Sequence, residues 1–341
     1  MGGNALKNTN IVRISLLTLN KIKEKIKEKV SDHLEIDFMI ENPEKKDFGD
    51  LDVIYKINPG SKIVVRELIE TIFSPVEVFV SGDIISFAYP SELEGEYVQI
   101  DFIKCKNLKM SKFYFSFGDL GNILGYITNY YNIKFGHFGL FVKISKEMCE
   151  DETDLQSSNF IDQFYLTDEP EKICEFFQLD YSSWSKLSKE HEIFSWVCSS
   201  PYFSKQIYKE VNNKTKRNIY RRPMYIRFVE WLNDLDDNYI EIDKYDRRME
   251  AIKHFDLEWK LKEIFTLNKI IQERKNKFNG NKIIELQILQ SNKELGKFIT
   301  KFKSYITDTN GNFNDWLDGS SSEEVDDKIK SFVPVYNTSS T

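Results

Sequence analysis

Apolar residues at Ile14, Leu17, Ile22, Ile26 and Val30 recur at helical spacing among Lys21, Lys23, Lys25, Lys27 and Lys29. That spacing predicts an amphipathic first helix with a basic, solvated outer face. From Leu34 the period changes. Leu34 to Glu41 and Leu51 to Ile57 are rich in β-branched and aromatic residues, and the polar run Asn42 to Asp50 separates them. They predict two strands joined by a turn. A short helix is expected over Val64 to Phe73. Two further extended runs follow, Val76 to Tyr89, broken at Ser81-Gly82-Asp83, and Glu96 to Cys105. The first is a hairpin pattern and the second a single strand, so the sheet has four or five strands. In Phe113 to Ile144 glycines punctuate a helix and another hairpin, expected to cover one edge of that sheet.

Beyond Glu147 long helical patterns dominate, as in Glu169 to Leu179, Glu192 to Val211 and Met224 to Leu235. Further helices are expected over residues 247–275 and 283–306, before a polar, low-complexity end. The expected class is α+β: a mixed-sheet domain over residues 1–145, a mostly helical domain over 146–318, and a loose tail over 319–341. A length of 341 residues fits two domains. No repeat of solenoid period is visible.

Composition narrows the function. Apolar residues at 41% and aromatics at 14% leave ample material for packed cores. A net charge of -7 argues against non-specific coating of nucleic acid, although a local basic patch remains compatible with it. Cys105, Cys149, Cys174 and Cys198 lack zinc-ligand spacing and point to a reducing compartment. No apolar run reaches the roughly 18 residues of a membrane span, and no signal peptide is evident. Leu6 stands where a myristoylation signal wants Ser or Thr. The expectation is a cytoplasmic protein with no membrane partner. Nothing in the chain speaks to oligomeric state.

The candidate chemistry lies in Lys45-Lys46-Asp47-Phe48-Gly49-Asp50-Leu51-Asp52-Val53. Side chains alternate along a strand, so Asp50 and Asp52 project from one face while Leu51 points into the core. Gly49 frees the backbone for close approach of a phosphate. Asp101 is a third carboxylate in an otherwise apolar strand, where it is costly unless partnered. If its strand lies beside that of Asp52, three carboxylates converge and supply the hard oxygen ligands that Mg²⁺ or Mn²⁺ prefers. An ordinary solvated turn is the competing reading of Gly49-Asp50.

The Gly-Asp-Leu-Asp-Val turn with the later Ile-Asp-Phe strand resembles the metal-binding core of polymerase β-like nucleotidyltransferases, best over residues 34–105. The resemblance implies two metal ions about 4 Å apart. Asp50 and Asp52 would bridge both ions and a nucleoside triphosphate, and Asp101 would hold the second ion and help activate the attacking hydroxyl. The family's Gly-Ser pair is replaced by Ile40-Glu41-Asn42-Pro43, so its phosphate contacts fall to Gly2, Gly3 and Asn4 or to Lys45 and Lys46. Phe117 to Phe141 is similar to a glycine-punctuated region of nucleotidyltransferase-like and poly(A) polymerase-like proteins of large DNA viruses. There Tyr126 and Tyr130 are either a stacking wall for a nucleoside or aromatic core, and His137 reads as a turn residue. Lys214 to Phe228 interleaves Arg217, Arg221 and Arg222 with Tyr220 and Tyr225, as a surface for RNA or a triphosphate would, or as a solvated helix start would. Gly280 and Gly296 resemble a helical element of transfer-RNA nucleotidyltransferases and bacterial poly(A) polymerases. The implied activity is template-independent transfer of a nucleoside monophosphate, with ATP the expected donor and an RNA 3′ hydroxyl the acceptor. A protein or small-molecule hydroxyl, or a catalytically silent binding module, are the alternatives. Richness in Lys, Asn and Ile fits an AT-rich source such as a large DNA virus, which would place the chain in the host cytoplasm.

Overall fold

The computed structural model describes residues 4–145, 148, 161–209, 222–235, 246–289 and 292–338. The chain divides into two compact units, Met1–Ile144 with Asp162–Leu257, and Ser145–Ile161 with Glu258–Thr341. The class is α+β, with a mixed sheet near the N-terminus and helices toward the C-terminus.

The first unit opens with β1 (Ile14–Ser15) and α1 (Leu16–Val30). The Ser15 hydroxyl caps α1 by accepting from the Thr18 amide, and Leu19, Ile22, Ile26 and Val30 form its buried stripe. Leu17, an expected core residue, is exposed because the stripe starts further along the helix, at Leu19. Next come β2 (Leu34–Phe38), β3 (Asp47–Phe48), β4 (Asp50–Ile57), α2 (Val65–Phe73), β5 (Val78–Ser81), β6 (Ile84–Pro90) and β7 (Tyr97–Lys104). Of these, all but β3 and α2 make a five-stranded sheet of order β2-β4-β7-β6-β5, in which β4 and β7 are parallel and the other pairs antiparallel. Strand alternation gives the sheet two unlike faces. Leu51, Val53, Phe87, Ile100 and Phe102 pack against α1 and α2 on one face. On the other, Ile54 and Ile103 pack with Met39, Cys105, Leu108 and Phe115, so α3 (Leu108–Phe115) covers only the half of that face away from Asp52 and Asp101.

α4 (Leu120–Tyr130), β8 (Ile133–Gly136) and β9 (Gly139–Ile144) follow, and β9 lies between β8 and β10 (Ile161–Thr167). This hairpin was expected to cover an edge of the main sheet; it builds its own three-stranded sheet instead. Gly139 permits this at φ +115°, where an added Cβ would sit 2.2 Å from the Thr167 carbonyl oxygen. Helices α5 (Pro170–Phe176), α6 (Tyr181–Trp184), α7 (Glu190–Cys198) and α8 (Gln206–Lys209), with Pro223–Asp234 and Arg248–His254, complete the described elements of the unit. The expected boundary at residue 145 therefore shifts: residues 162–257 share the compact unit of the sheet, because a change to helical texture does not mark where packing ends.

The second unit is helical, with Glu258–Lys277, Gly280–Glu285, Leu295–Asn310, Phe313–Gly319 and Ser322–Thr338 around a core that includes Phe278, Phe298, Phe302 and Ile306. A loose tail was expected over 319–341; among its described residues, Ser322–Thr338 form a helix instead. Val325, Ile329, Phe332 and Tyr336, spaced four, three and four residues apart, form the buried stripe of Ser322–Thr338. Phe332 is 3% exposed and its ring lies 5.4 Å from that of Phe302. Phe332→Ala should cost about 3–5 kcal/mol in urea denaturation; a loss under about 1 kcal/mol would show that this helix is not part of the core.

Candidate metal centre

The parallel pairing of β4 and β7 sets Asp50 opposite Gln99 and Asp52 opposite Asp101. On the far side of β7, Ser86 of β6 lies opposite Asp101. All these side chains belong to the face of the sheet that α3 leaves open, because residues two apart on a strand share a face. Asp50, Asp52 and Asp101 each offer an oxygen within 4.8 Å of the others. Three carboxylates at that separation make a hard, anionic donor set suited to Mg²⁺ or Mn²⁺.

Their electrostatics fit such a role. Burial first, then repulsion from Asp50, Asp101 and Glu41, holds the Asp52 carboxyl well above the usual carboxylate range, while Lys45 opposes the shift. Asp101 is also raised by burial, against hydrogen bonds from Ser86 and Gln99. Gln99 is 2% exposed, and its amide nitrogen lies 3.0 Å from both Asp101 oxygens. Its carbonyl accepts from the Ala5 amide at 2.9 Å, which sets which end of the side chain faces Asp101. The segment carrying Ala5 is held further along, where Lys7, Asn8 and Thr9 all donate to the Glu77 carboxylate.

A cleft of about 280 Å³ opens beside Asp52, with Lys45, Glu41, Tyr114, Asn122 and Arg222 among its walls. The turn that presents Lys45 is built on Asn42, whose side-chain oxygen accepts from the Glu44 amide at 2.9 Å and whose carbonyl accepts from the Lys45 amide at 3.0 Å. Asn42 in turn donates to Glu190 at 2.8 Å, and Arg227 grips Glu190 through two bonds of 2.6 Å. Burial alone would raise Glu190; Arg227 and Asn42 carry its pKa below the ordinary value instead. Phe117 adopts φ +59° beneath this turn, and its amide donates to the Ile40 carbonyl at 2.6 Å. A buried phenylalanine in the left-handed region is strained, and such strain collects at functional sites.

The structure brings together only part of the expected residues. Asp50, Asp52 and Asp101 converge, and Lys45 and Arg222 line the adjoining cleft. Lys45 is exposed and lies 4.7 Å from the Phe48 ring, and Arg222 pairs with Asp119 at 2.7 Å. Gly49 is buried between β3 and β4, Lys46 and Asn4 are exposed, and neither Lys46 nor Asn4 lines the cleft. Gly2, Gly3, Arg217 and Arg221 lie outside the described residues. Tyr130 is core at 7% exposure, as the structural alternative had it, whereas Tyr126 lines a surface groove. Gln99, Asn42 and Glu190 were not anticipated, and Arg227, which belongs to the run expected to form a basic surface, is bonded to Glu190. The available signal was a polar Gln99 two residues before Asp101, on the same face of an apolar strand.

Two outcomes follow from this geometry. An acid whose pKa rises on folding binds more protons folded than unfolded, so stability falls as pH rises from the ordinary value near 4 through the raised one. Asp52→Asn should therefore stabilise the metal-free protein at pH 7 and lose that advantage near pH 4. The gain is on the order of 1–2 kcal/mol, since charges about 5 Å apart interact by about 3 kcal/mol at an effective dielectric near 20 and partial exposure screens them. Thermal melts across pH read this directly, and added Mn²⁺ should raise the melting temperature of the wild type but not of the variant. Gln99→Leu should weaken Mn²⁺ binding by about 10–100-fold, the usual loss for a residue that orients a ligand; unchanged affinity by calorimetry would remove Gln99 from the site. Comparison with protein-family models and with curated proteins finds no match for the chain, so the reading of this centre rests on its own geometry.

Proposed function

We propose that the chain is a metal-dependent nucleotidyltransferase of the polymerase β-like kind, transferring a nucleoside monophosphate from a triphosphate, with ATP as the expected donor, to a hydroxyl. The observation that carries this reading is the pairing of Asp52 with Asp101 on adjacent parallel strands, with Asp50 two residues ahead and all three carboxylates within 4.8 Å. The donor set fits divalent metal: three oxygen ligands, one of them disfavoured as an anion until a cation arrives. Asp50, Asp52 and Asp101 would hold Mg²⁺ or Mn²⁺, which when bound neutralises phosphate charge and draws the reacting oxygens together.

The chain's own residues supply the rest. Lys45 brings positive charge to the cleft next to Asp52, where a triphosphate would lie, and Arg222, paired with Asp119, lines the same cleft. Asp101, on the strand beside Asp52, would also help to activate the attacking hydroxyl. The hydroxyl oxygen forms a bond to the α-phosphorus, the bond from that phosphorus to the bridging oxygen breaks, and pyrophosphate leaves. Positioning and charge neutralisation dominate such a transfer, and no covalent enzyme intermediate is required.

An RNA 3′ end is the expected acceptor. Transfer to a protein or small-molecule hydroxyl is favoured by a different observation, the net charge of -7. Incubating the protein with Mg²⁺ or Mn²⁺, labelled nucleoside triphosphates and an RNA primer should yield lengthened RNA. Asp50→Asn and Asp101→Asn should each reduce the rate at least about a hundredfold. Label on protein or on a small hydroxyl compound would keep the chemistry and change the acceptor. No metal-dependent transfer to any acceptor would end the reading.

A further inference from the structure

On α4, the half-buried Asn122, Gly125 and Tyr126 and the exposed Asn129 lie on one face by helical spacing. Together with Ile133, Lys134 and Phe135 of β8, this stripe bounds a groove of about 320 Å³. Tyr114 and Asn122 line both this groove and the cleft that holds Asp52, so the two adjoin.

Two features of the groove have no structural explanation. Gly125 lies in the middle of α4, where glycine is less favourable than alanine, yet a Cβ there would meet nothing within 4 Å. Gly121, one turn earlier, differs: its Cβ would fall 2.2 Å from the Tyr114 carbonyl oxygen, so close packing of α3 on α4 accounts for it. Among the described residues, no hydrogen bond is found for the side-chain amides of Asn122 and Asn129, on either side of Gly125. Tyr126 is by contrast held in place, its ring 5.4 Å from Tyr225 and 5.9 Å from Tyr208.

A bare helix backbone flanked by two carboxamides, a fixed aromatic ring and Lys134 suits a flat heterocycle with donors and acceptors on its edge. We infer that the groove over Gly125 is a nucleobase site, in which Asn122 and Asn129 read the base edge and the missing side chain at Gly125 lets the ring lie against α4. A carboxamide can donate and accept at once, as the edge of a base requires. This inference rests on the proposed activity, because the base must belong to a nucleotide whose phosphate reaches Asp52 through the adjoining cleft. That nucleotide is either the incoming triphosphate or the terminal residue of an acceptor strand.

The test measures binding of three probes in the presence of Mg²⁺, to the wild type and to Gly125→Ala, Gly125→Leu and Asn122→Ala: ATP, a six-residue oligoadenylate, and inorganic tripolyphosphate. Gly125→Ala should melt at or above the wild-type temperature, which shows that the position tolerates a side chain. Gly125→Leu should weaken a base-bearing probe at least tenfold and leave tripolyphosphate unchanged. Asn122→Ala should weaken the same probe by a smaller factor, and this arm stands if the leucine variant does not fold. Loss confined to ATP assigns the groove to the incoming nucleotide, and loss confined to the oligonucleotide assigns it to the acceptor. If folded variants bind both as the wild type does, the groove is not a base site, while tripolyphosphate binding leaves the proposed activity standing. If the wild type binds none of the probes with Mg²⁺, the proposed activity falls and takes this inference with it.

Discussion

Three carboxylates within 4.8 Å of one another repel, and the first unit must hold them there against that repulsion. The device is the parallel ladder between β4 and β7, whose register sets Asp52 beside Asp101. The ladder is secured from its opposite face, where Leu51, Val53, Ile100 and Phe102 are buried under α1 and α2. A slip of one residue would drive the acids into that apolar layer and expose the apolar side chains, so burial on one face specifies register on the other. The same alternation ends the acidic patch. Two residues after Asp52 and Asp101 come Ile54 and Ile103, which α3 covers.

Around this ladder, buried polar bonds tie the centre to distant parts of the first unit. Gln99 joins Asp101 to the segment at Ala5, and Asn42 joins the turn before Lys45 to Glu190 and Arg227. Each link is of the kind whose loss leaves a buried polar group without a partner, which costs more than the bond contributes. The turn beside the centre is thereby linked to a residue 148 positions away in the chain, on a helix after β10.

Much of the sheet was legible because alternation and turn residues are local. The strands carrying Asp52 and Asp101 and the helix from Val65 to Phe73 could be read from period, and alternation gave the common face of Asp50 and Asp52, although the strand itself starts one residue earlier than expected, at Asp50. The pairing of β4 with β7 could only be posed as a condition, since register between segments fifty residues apart leaves no local mark. Asn42 and Gln99 read as ordinary polar residues for the same reason: their partners lie far off in sequence. The helix Ser322–Thr338 was hidden by a run of Ser, Glu and Asp and by Pro334, although its buried residues keep helical spacing. Composition outweighed period there, and period was the better guide.

The charge balance of the open face bears on the order of events at the centre. Lys23 pairs with Glu41 at 3.2 Å and Arg222 pairs with Asp119 at 2.7 Å, so both cations are largely answered by their own partners. Lys45 then stands against Asp50, Asp52 and Asp101, and the near field is negative. A polyphosphate approaching that field is repelled until divalent cations reverse its sign, whether they come from solution or arrive on the nucleotide itself. Under the proposed activity, recognition of the phosphates and occupation of the acidic centre would therefore be one coupled event. Any selectivity independent of metal has to arise elsewhere in the cleft, from uncharged groups such as Tyr114 and Asn122.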